Sequence, residues 1–214
     1  MFFDKAINYS TLTPLEKQKC QAILARLSKD PEEFFQQKEF NDKERSEFII
    51  ALLETGLSPS SLFGLLDWHK FEQVVAMLFS RNGFETITNF RFKSEESKHE
   101  IDILAFQYPY LYAIDCKFVR RQTDYQLKNS ALLQKERVDI LVSYFFLYSD
   151  FLLKKLQLPK KRTIFVIPVI VSWYSGSLRF YDGVALVPFN NLIGFVRDID
   201  SIKDDLFVVK MRVD

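Results

Sequence analysis

Glu100-Ile101-Asp102-Ile103-Leu104 and, after a short turn, Ala113-Ile114-Asp115-Cys116-Lys117-Phe118 decide how this chain folds. Both stretches are apolar except at spaced polar positions, which is how strands read when a sheet face meets a core. Side chains two apart along a strand return to one face. Asp115 and Lys117 therefore share a face, and Ile114, Cys116 and Phe118 take the other. Pro109 and its aromatic neighbours mark the turn, so Asp102 lies on the adjoining strand near Asp115. Two carboxylates and an ammonium then converge on a greasy sheet, a costly placement unless something compensates it. A divalent cation does so, because hard cations such as Mg²⁺ take carboxylate oxygens. A metal beside a lysine suits attack on a phosphodiester.

Upstream, Asp67-Trp68-His69-Lys70-Phe71-Glu72-Gln73-Val74-Val75-Ala76-Met77-Leu78-Phe79 reads as a helix, with Asp67 as N-cap and Gly83 as its stop. At about 100° per residue, Phe71, Val74, Val75, Leu78 and Phe79 form one apolar arc. Glu72 falls just past its edge, placed to lean over the sheet the helix covers. The ordered run Phe-Glu-x-Val-Val (71–75), Gly83-Phe84-Glu85, Ile-Asp-Ile (101–103) and Asp-x-Lys (115–117) resembles the PD-(D/E)XK nuclease superfamily. Within it the chain is most similar to Mrr-type restriction endonucleases and archaeal Holliday-junction resolvases. The resemblance covers residues 67–147 and extends toward 197.

That resemblance implies an α/β fold with a restriction-endonuclease-like core, ordered α-β-β-β-α-β, in which helices flank a mixed central sheet. It implies a metal-dependent DNA endonuclease with Glu72, Asp102, Asp115 and Lys117 as the catalytic set. Asp102 and Asp115 hold Mg²⁺, for which Mn²⁺ substitutes. The backbone carbonyl of Cys116 is the third protein ligand, and Glu72 binds directly or through a metal-bound water. Lys117 orients the attacking water and offsets phosphate charge, since a lysine with a pKa of about 10.4 is a poor general base. Asp115→Asn is expected to leave metal-free stability intact, because it relieves repulsion between like charges.

Composition is that of an ordinary globular protein, 48% hydrophobic and 27% charged, with 22 phenylalanines pointing to an aromatic core. No apolar run approaches the roughly 18 residues of a spanning helix, and no leader pattern opens the chain. Two cysteines are too few for a disulfide framework, and Cys116 is expected to be a buried thiol. An intracellular setting, cytoplasmic or nucleoid-associated, with no membrane partner, follows as the expectation. Charge is uneven: residues 117–162 hold 11 basic against 4 acidic residues, a balance of +7, whereas residues 67–116 stand at −3. A polyanion approaching the site fits that excess. Arg120, Arg121, Lys128, Lys135 and Arg137 are the candidates for DNA backbone contacts, with His99 a further one. Lys154, Lys155, Lys160, Lys161 and Arg162 read as solubilising charges. Gln134 is a helical polar residue placed near the site by resemblance. With only His69 and His99, a zinc site is not expected.

Residues 1–66 read as a helical amino-terminal region and residues 67–214 as the nuclease domain. Thr13-Pro14-Leu15-Glu16 is a capping box opening a helix to Ser28, with further helix starts at Asp30, Asp42 and Ser58. Strands are expected at 85–93, 100–107 and 111–118, with a polar loop at 94–99. A long or broken helix at 125–156 has an apolar side from Leu132 to Leu153. A fourth strand at 163–171 is assigned to an edge or bulge because of Pro168. A turn at 174–177, a hairpin-like pair at 178–187 and a last helix from Pro188 to Val196 complete the reading. A helical crossover makes the third and fourth strands parallel. Alternatives are a structure-specific Holliday-junction resolvase, which implies a homodimer on branched DNA, and a non-catalytic nucleic-acid-binding module on the same fold. A helical protein-interaction adaptor built on residues 1–66 is a third. The extra helical region favours the Mrr-like nuclease, acting on double-stranded or branched DNA.

Overall fold

A computed structural model of the chain describes residues 13–26, 42–54, 68–95, 97–119, 121–173 and 178–213. The chain forms two compact units, Met1–Val74 and Val75–Asp214. The first contains α1 (Pro14–Arg26) and α2 (Asp42–Glu54). α1 begins with the expected capping box: the Thr13 N–H donates to Glu16 Oε2 at 2.8 Å, and the Glu16 N–H donates to Thr13 Oγ1 at 3.3 Å. Cys20, Ile23 and Leu24 of α1 and Phe48, Ile49 and Leu52 of α2 are buried, and the two helices pack together. The helix starts read at Asp30 and Ser58, and the cap at Asp67, lie outside the described residues. α3 (Trp68–Arg81) crosses the division between units, which falls at Val74–Val75.

The second unit is an α/β assembly on a seven-stranded mixed sheet. β1 (Glu85–Lys93), β2 (Lys98–Gln107) and β3 (Tyr110–Lys117) run as an antiparallel meander. α4 (Asp124–Ser143) and α5 (Phe145–Lys155) then cross over to β4 (Arg162–Ser172), which lies parallel to β3. The expected order of helix, three antiparallel strands, helix and parallel strand is present. The crossover helix is broken at Tyr144, the residue that ends α4 and precedes α5. Thr123 caps α4, its Oγ1 accepting the Gln126 N–H at 3.3 Å.

Val138 and Leu141 of α4 and Leu152 of α5 pack on Leu104, Leu111, Ala113, Ile164 and Val166 of the sheet. On the opposite face Tyr112 meets Phe79 of α3 and Phe84, with ring centroids 5.8 and 5.7 Å away. The inward stripe of α4 is Leu127, Ala131, Gln134, Val138 and Leu141; Leu132 and Leu133, expected to begin the apolar side, are exposed.

Pro168 does not mark an edge or an obvious bulge; β4 is the most heavily paired strand of the sheet. One side of β4 pairs with β3 along its length. The other is shared by β7 (Val209–Val213) at residues 162–166 and β6 (Val184–Pro188) at residues 169–172. Phe165 and Trp173 donate their N–H groups toward the β3 side, to Pro109 and Lys117. By alternation, position 168 faces the other side, into the gap between β7 and β6. A missing N–H goes unnoticed there. β5 (Phe180–Tyr181) pairs with β6 across Asp182-Gly183, whose φ values of 50° and 78° are those of a tight hairpin turn. A Cβ on Gly183 would meet the Phe207 backbone nitrogen at 2.6 Å. The last helical stretch is α6 (Leu192–Arg197) followed by α7 (Ile199–Ile202). Among the described residues no helix is long and apolar enough to cross a membrane.

Candidate metal and phosphate site

β2 and β3 pair with Ile103 opposite Ile114 and Leu104 opposite Ala113. One step further along that register Asp102 stands opposite Asp115. Asp102 also lies opposite Asn89, which has a φ of 53° and sits between the pairs Thr88–Ile103 and Phe90–Ile101. The strand alternation slips at this point, so Ile101 and Leu104 join one core despite an odd separation. The polar residue falls at the slip. Its Oδ2 accepts the backbone N–H of Cys116 at 2.7 Å. Arg91 of β1 is bound to Glu100 at 2.8 Å.

Asp115 is 3% exposed. The Lys117 ammonium stands 2.6 Å from its Oδ2, and Arg137 Nη1 donates to its Oδ1 at 2.9 Å. Oδ2 nonetheless has no aligned hydrogen-bond donor, a buried oxygen held by charge alone. Asp102 responds to this setting. Burial first, then the neighbouring Asp115, push its carboxyl up to about 6 from an ordinary 3.8, against the lowering effect of the Cys116 N–H.

Gln134 completes the cluster from α4. It is fully buried, donates from Nε2 to the Ala113 carbonyl at 2.9 Å, and accepts from Arg137 Nη1 at 3.2 Å. Arg137, expected as a DNA backbone contact, stands against Asp115 in this cluster. Its signal was present in the sequence: Gln134 interrupts an apolar helical stripe, and Arg137 follows one turn later on the same face.

The remaining candidates divide. Glu72 is a buried residue of the first unit, in the second turn of α3. Cys116 is half-buried rather than the buried thiol expected, because it ends the strand near the sheet rim. Arg121 is exposed just before α4, and Arg120 lies outside the described residues. Lys128 stands over the Tyr181 ring at 5.3 Å. Lys135 is engaged elsewhere: it binds the Asp182 carboxylate at 2.8 Å and covers the Phe207 ring at 4.4 Å, fastening the β5–β6 turn. His99 lies in β2, stacked on Phe92, with Nε2 2.7 Å from Ser97 Oγ and 3.2 Å from Ser94 Oγ. It closes the β1–β2 turn.

Among the described residues no three His, Cys, Asp or Glu side chains gather into a ready-made metal cage. The donor set is instead two carboxylates on neighbouring strands with a backbone carbonyl between them. Such a set fits Mg²⁺, which keeps several waters and takes only one or two carboxylates besides phosphate oxygens. The hydrogen-bond vacancy at Asp115 Oδ2 and the raised Asp102 are consistent with it.

No family model matches the chain. It is 30% identical over 134 residues to an uncharacterized protein of Archaeoglobus fulgidus, a match covering 62% of this chain and 91% of that protein. It is also similar, at 20% identity and a TM-score of 0.30, to the crystal structure of the protein of unknown function AF1548. That likeness covers 49% of this chain and 46% of the other.

Proposed function

This chain belongs to the family of the uncharacterized Archaeoglobus fulgidus protein, and we propose that it is a Mg²⁺-dependent DNA endonuclease with a restriction-endonuclease-like core. The observation that carries the reading is the junction of β2 and β3. Asp102 and Asp115 face one another across the strand pair, Cys116 is tied to Asp102, and Lys117 lies 2.6 Å from Asp115. Asp102, Asp115 and the Cys116 carbonyl would hold the metal. Bound there, a divalent ion supplies an acidified water and neutralises phosphate oxygens.

The protein's own groups do the rest. Asp102 fixes the Cys116 backbone through the 2.7 Å bond, so one ligand positions another. Lys117, 31% exposed at the mouth of the site, presents its ammonium to a phosphate arriving from solvent. There it stabilises the negative charge that grows as the phosphorus centre is attacked. Gln134 and Arg137 hold Asp115 in place from the helix side.

A second reading has one observation in its favour. Both Asp115 oxygens already face cations, as they would in a non-catalytic binding module that kept the fold. A cleavage panel of linear, nicked, flap, single-stranded and four-way DNA separates the two. The endonuclease cuts at least one substrate with Mg²⁺ or Mn²⁺ and none in EDTA. A module binds without cutting. Preference for the four-way substrate, with dimers in solution, identifies a resolvase.

A further inference from the structure

Two carboxylates, Asp102 and Asp115, face two cations, Lys117 and Arg137, within the second unit's site. The cluster is close to balanced before any metal arrives. Adding a dication leaves an excess of positive charge in a half-buried place, where charges a few ångströms apart interact far more strongly than in water. An anion must come with it.

Arg137 shows where that anion sits. Both Nη1 protons are spent, on Asp115 Oδ1 and Gln134 Oε1. Its Nε and Nη2 groups donate to none of the described residues, and the side chain is 31% exposed. Gln134, itself locked to the Ala113 carbonyl, sets the plane of the guanidinium. One edge of the fork is thus anchored and the other is open. The Nε–Nη2 edge is the one that takes two oxygens of a phosphate side by side.

We propose that Arg137 couples metal binding to DNA binding: its charge at Asp115 opposes a divalent ion in the free protein, and its open edge receives a backbone phosphate whose charge restores the balance. This inference rests on the nuclease reading and deepens it. Coupling of this kind is reciprocal, so metal tightens DNA as much as DNA tightens metal.

The test is calorimetric titration of the full chain with Ca²⁺, alone and with a saturating short duplex, for the parent, Arg137→Gln, Arg137→Lys and Lys154→Gln. Duplex raises Ca²⁺ affinity of the parent by about tenfold or more. In Arg137→Gln the DNA-free affinity rises by about tenfold and the gain from duplex shrinks toward one. Arg137→Lys keeps the charge but not the fork, so its DNA-free Ca²⁺ affinity stays at the parental level while its affinity for duplex falls. This second variant keeps the test decisive if Arg137→Gln does not fold. The exposed Lys154→Gln controls for net charge and matches the parent throughout.

Unchanged DNA-free Ca²⁺ affinity in Arg137→Gln, or parental duplex affinity in Arg137→Lys, overturns the coupling role and leaves the nuclease reading intact. Failure of the parent to bind Ca²⁺ either alone or with duplex overturns both.

Discussion

Asp102 and Cys116 are joined across two strands by a 2.7 Å hydrogen bond from backbone N–H to carboxylate, one step beyond the last regular pair of the β2–β3 ladder. A side chain thereby takes over where strand pairing stops, and a buried carboxylate is held beside Asp115. The carboxylate is stabilised by one backbone donor and by the charges of Lys117 and Arg137, and opposed more strongly by burial and by Asp115. The balance is unfavourable to its charge, and that has measurable consequences.

The first is acid behaviour. Asp102 titrates at about 6 when folded against an ordinary 3.8, so the folded state binds its proton more tightly than the unfolded chain does. Between those values stability falls as pH rises, by about 3 kcal/mol at most, and the contribution is flat above pH of about 6. Asp102→Asn removes this slope and is at least as stable as the parent at neutral pH in EDTA. Denaturant titrations from pH 4 to 8 check it. A variant weaker than the parent by more than about 1 kcal/mol would show that the ionised carboxylate supports the fold. Metal affinity, which needs the ionised ligand, declines below a pH of about 6.

Replacing Asp115 has a different effect on stability. Read from sequence, Asp115→Asn relieves repulsion and leaves the fold untouched. The structure places Lys117 and Arg137 on its two oxygens, so the substitution leaves two cations without their shared anion. Both cations are about one-third exposed and partly solvated, which limits the expected loss to about 1–2 kcal/mol. Thermal melts in EDTA should therefore rank Asp102→Asn above Asp115→Asn. The reverse order contradicts the assignment of the ion pairs.

Lys135 and Arg121 separate fold from binding. Lys135 fastens the Asp182-Gly183 turn, and Lys135→Gln lowers the melting temperature with little change in DNA affinity. Arg121 is exposed just before α4, and Arg121→Gln leaves melting alone. It reduces the log–log salt slope of duplex binding by about one unit. Electrophoretic or anisotropy titrations at several salt concentrations distinguish them.

Much of this was legible beforehand, and the reasons are local. Period-two alternation located β1 to β3 within a residue or two, and Thr13 and Glu16 marked the start of α1. Asp-x-Lys on one strand face correctly placed Asp115 beside Lys117. What escaped depends on neighbours distant in sequence. Pro168 is tolerated centrally only because β6 and β7 abut beside it. The alternation of Val209, Lys210, Met211, Arg212 and Val213 forms β7, which together with β6 bounds the gap that accommodates Pro168. The hairpin-like pair expected at 178–187 is present as β5 and β6 about the Asp182-Gly183 turn. Asn89 turns the strand through a positive φ that no periodicity predicts. Arg137 joins Gln134, which the resemblance places near the site, only because α4 lies over β3.

Lys117 carries the central claim. Its ammonium acts on charge that develops during attack on phosphorus, so its removal should affect rate rather than ground-state binding. The direct measurement is single-turnover cleavage in Mg²⁺ by the parent and Lys117→Ala, beside duplex affinity in Ca²⁺ for both. Expected is a fall in cleavage rate of about two orders of magnitude or more with affinity nearly unchanged. Cleavage by Lys117→Ala at close to the parental rate would contradict the assignment.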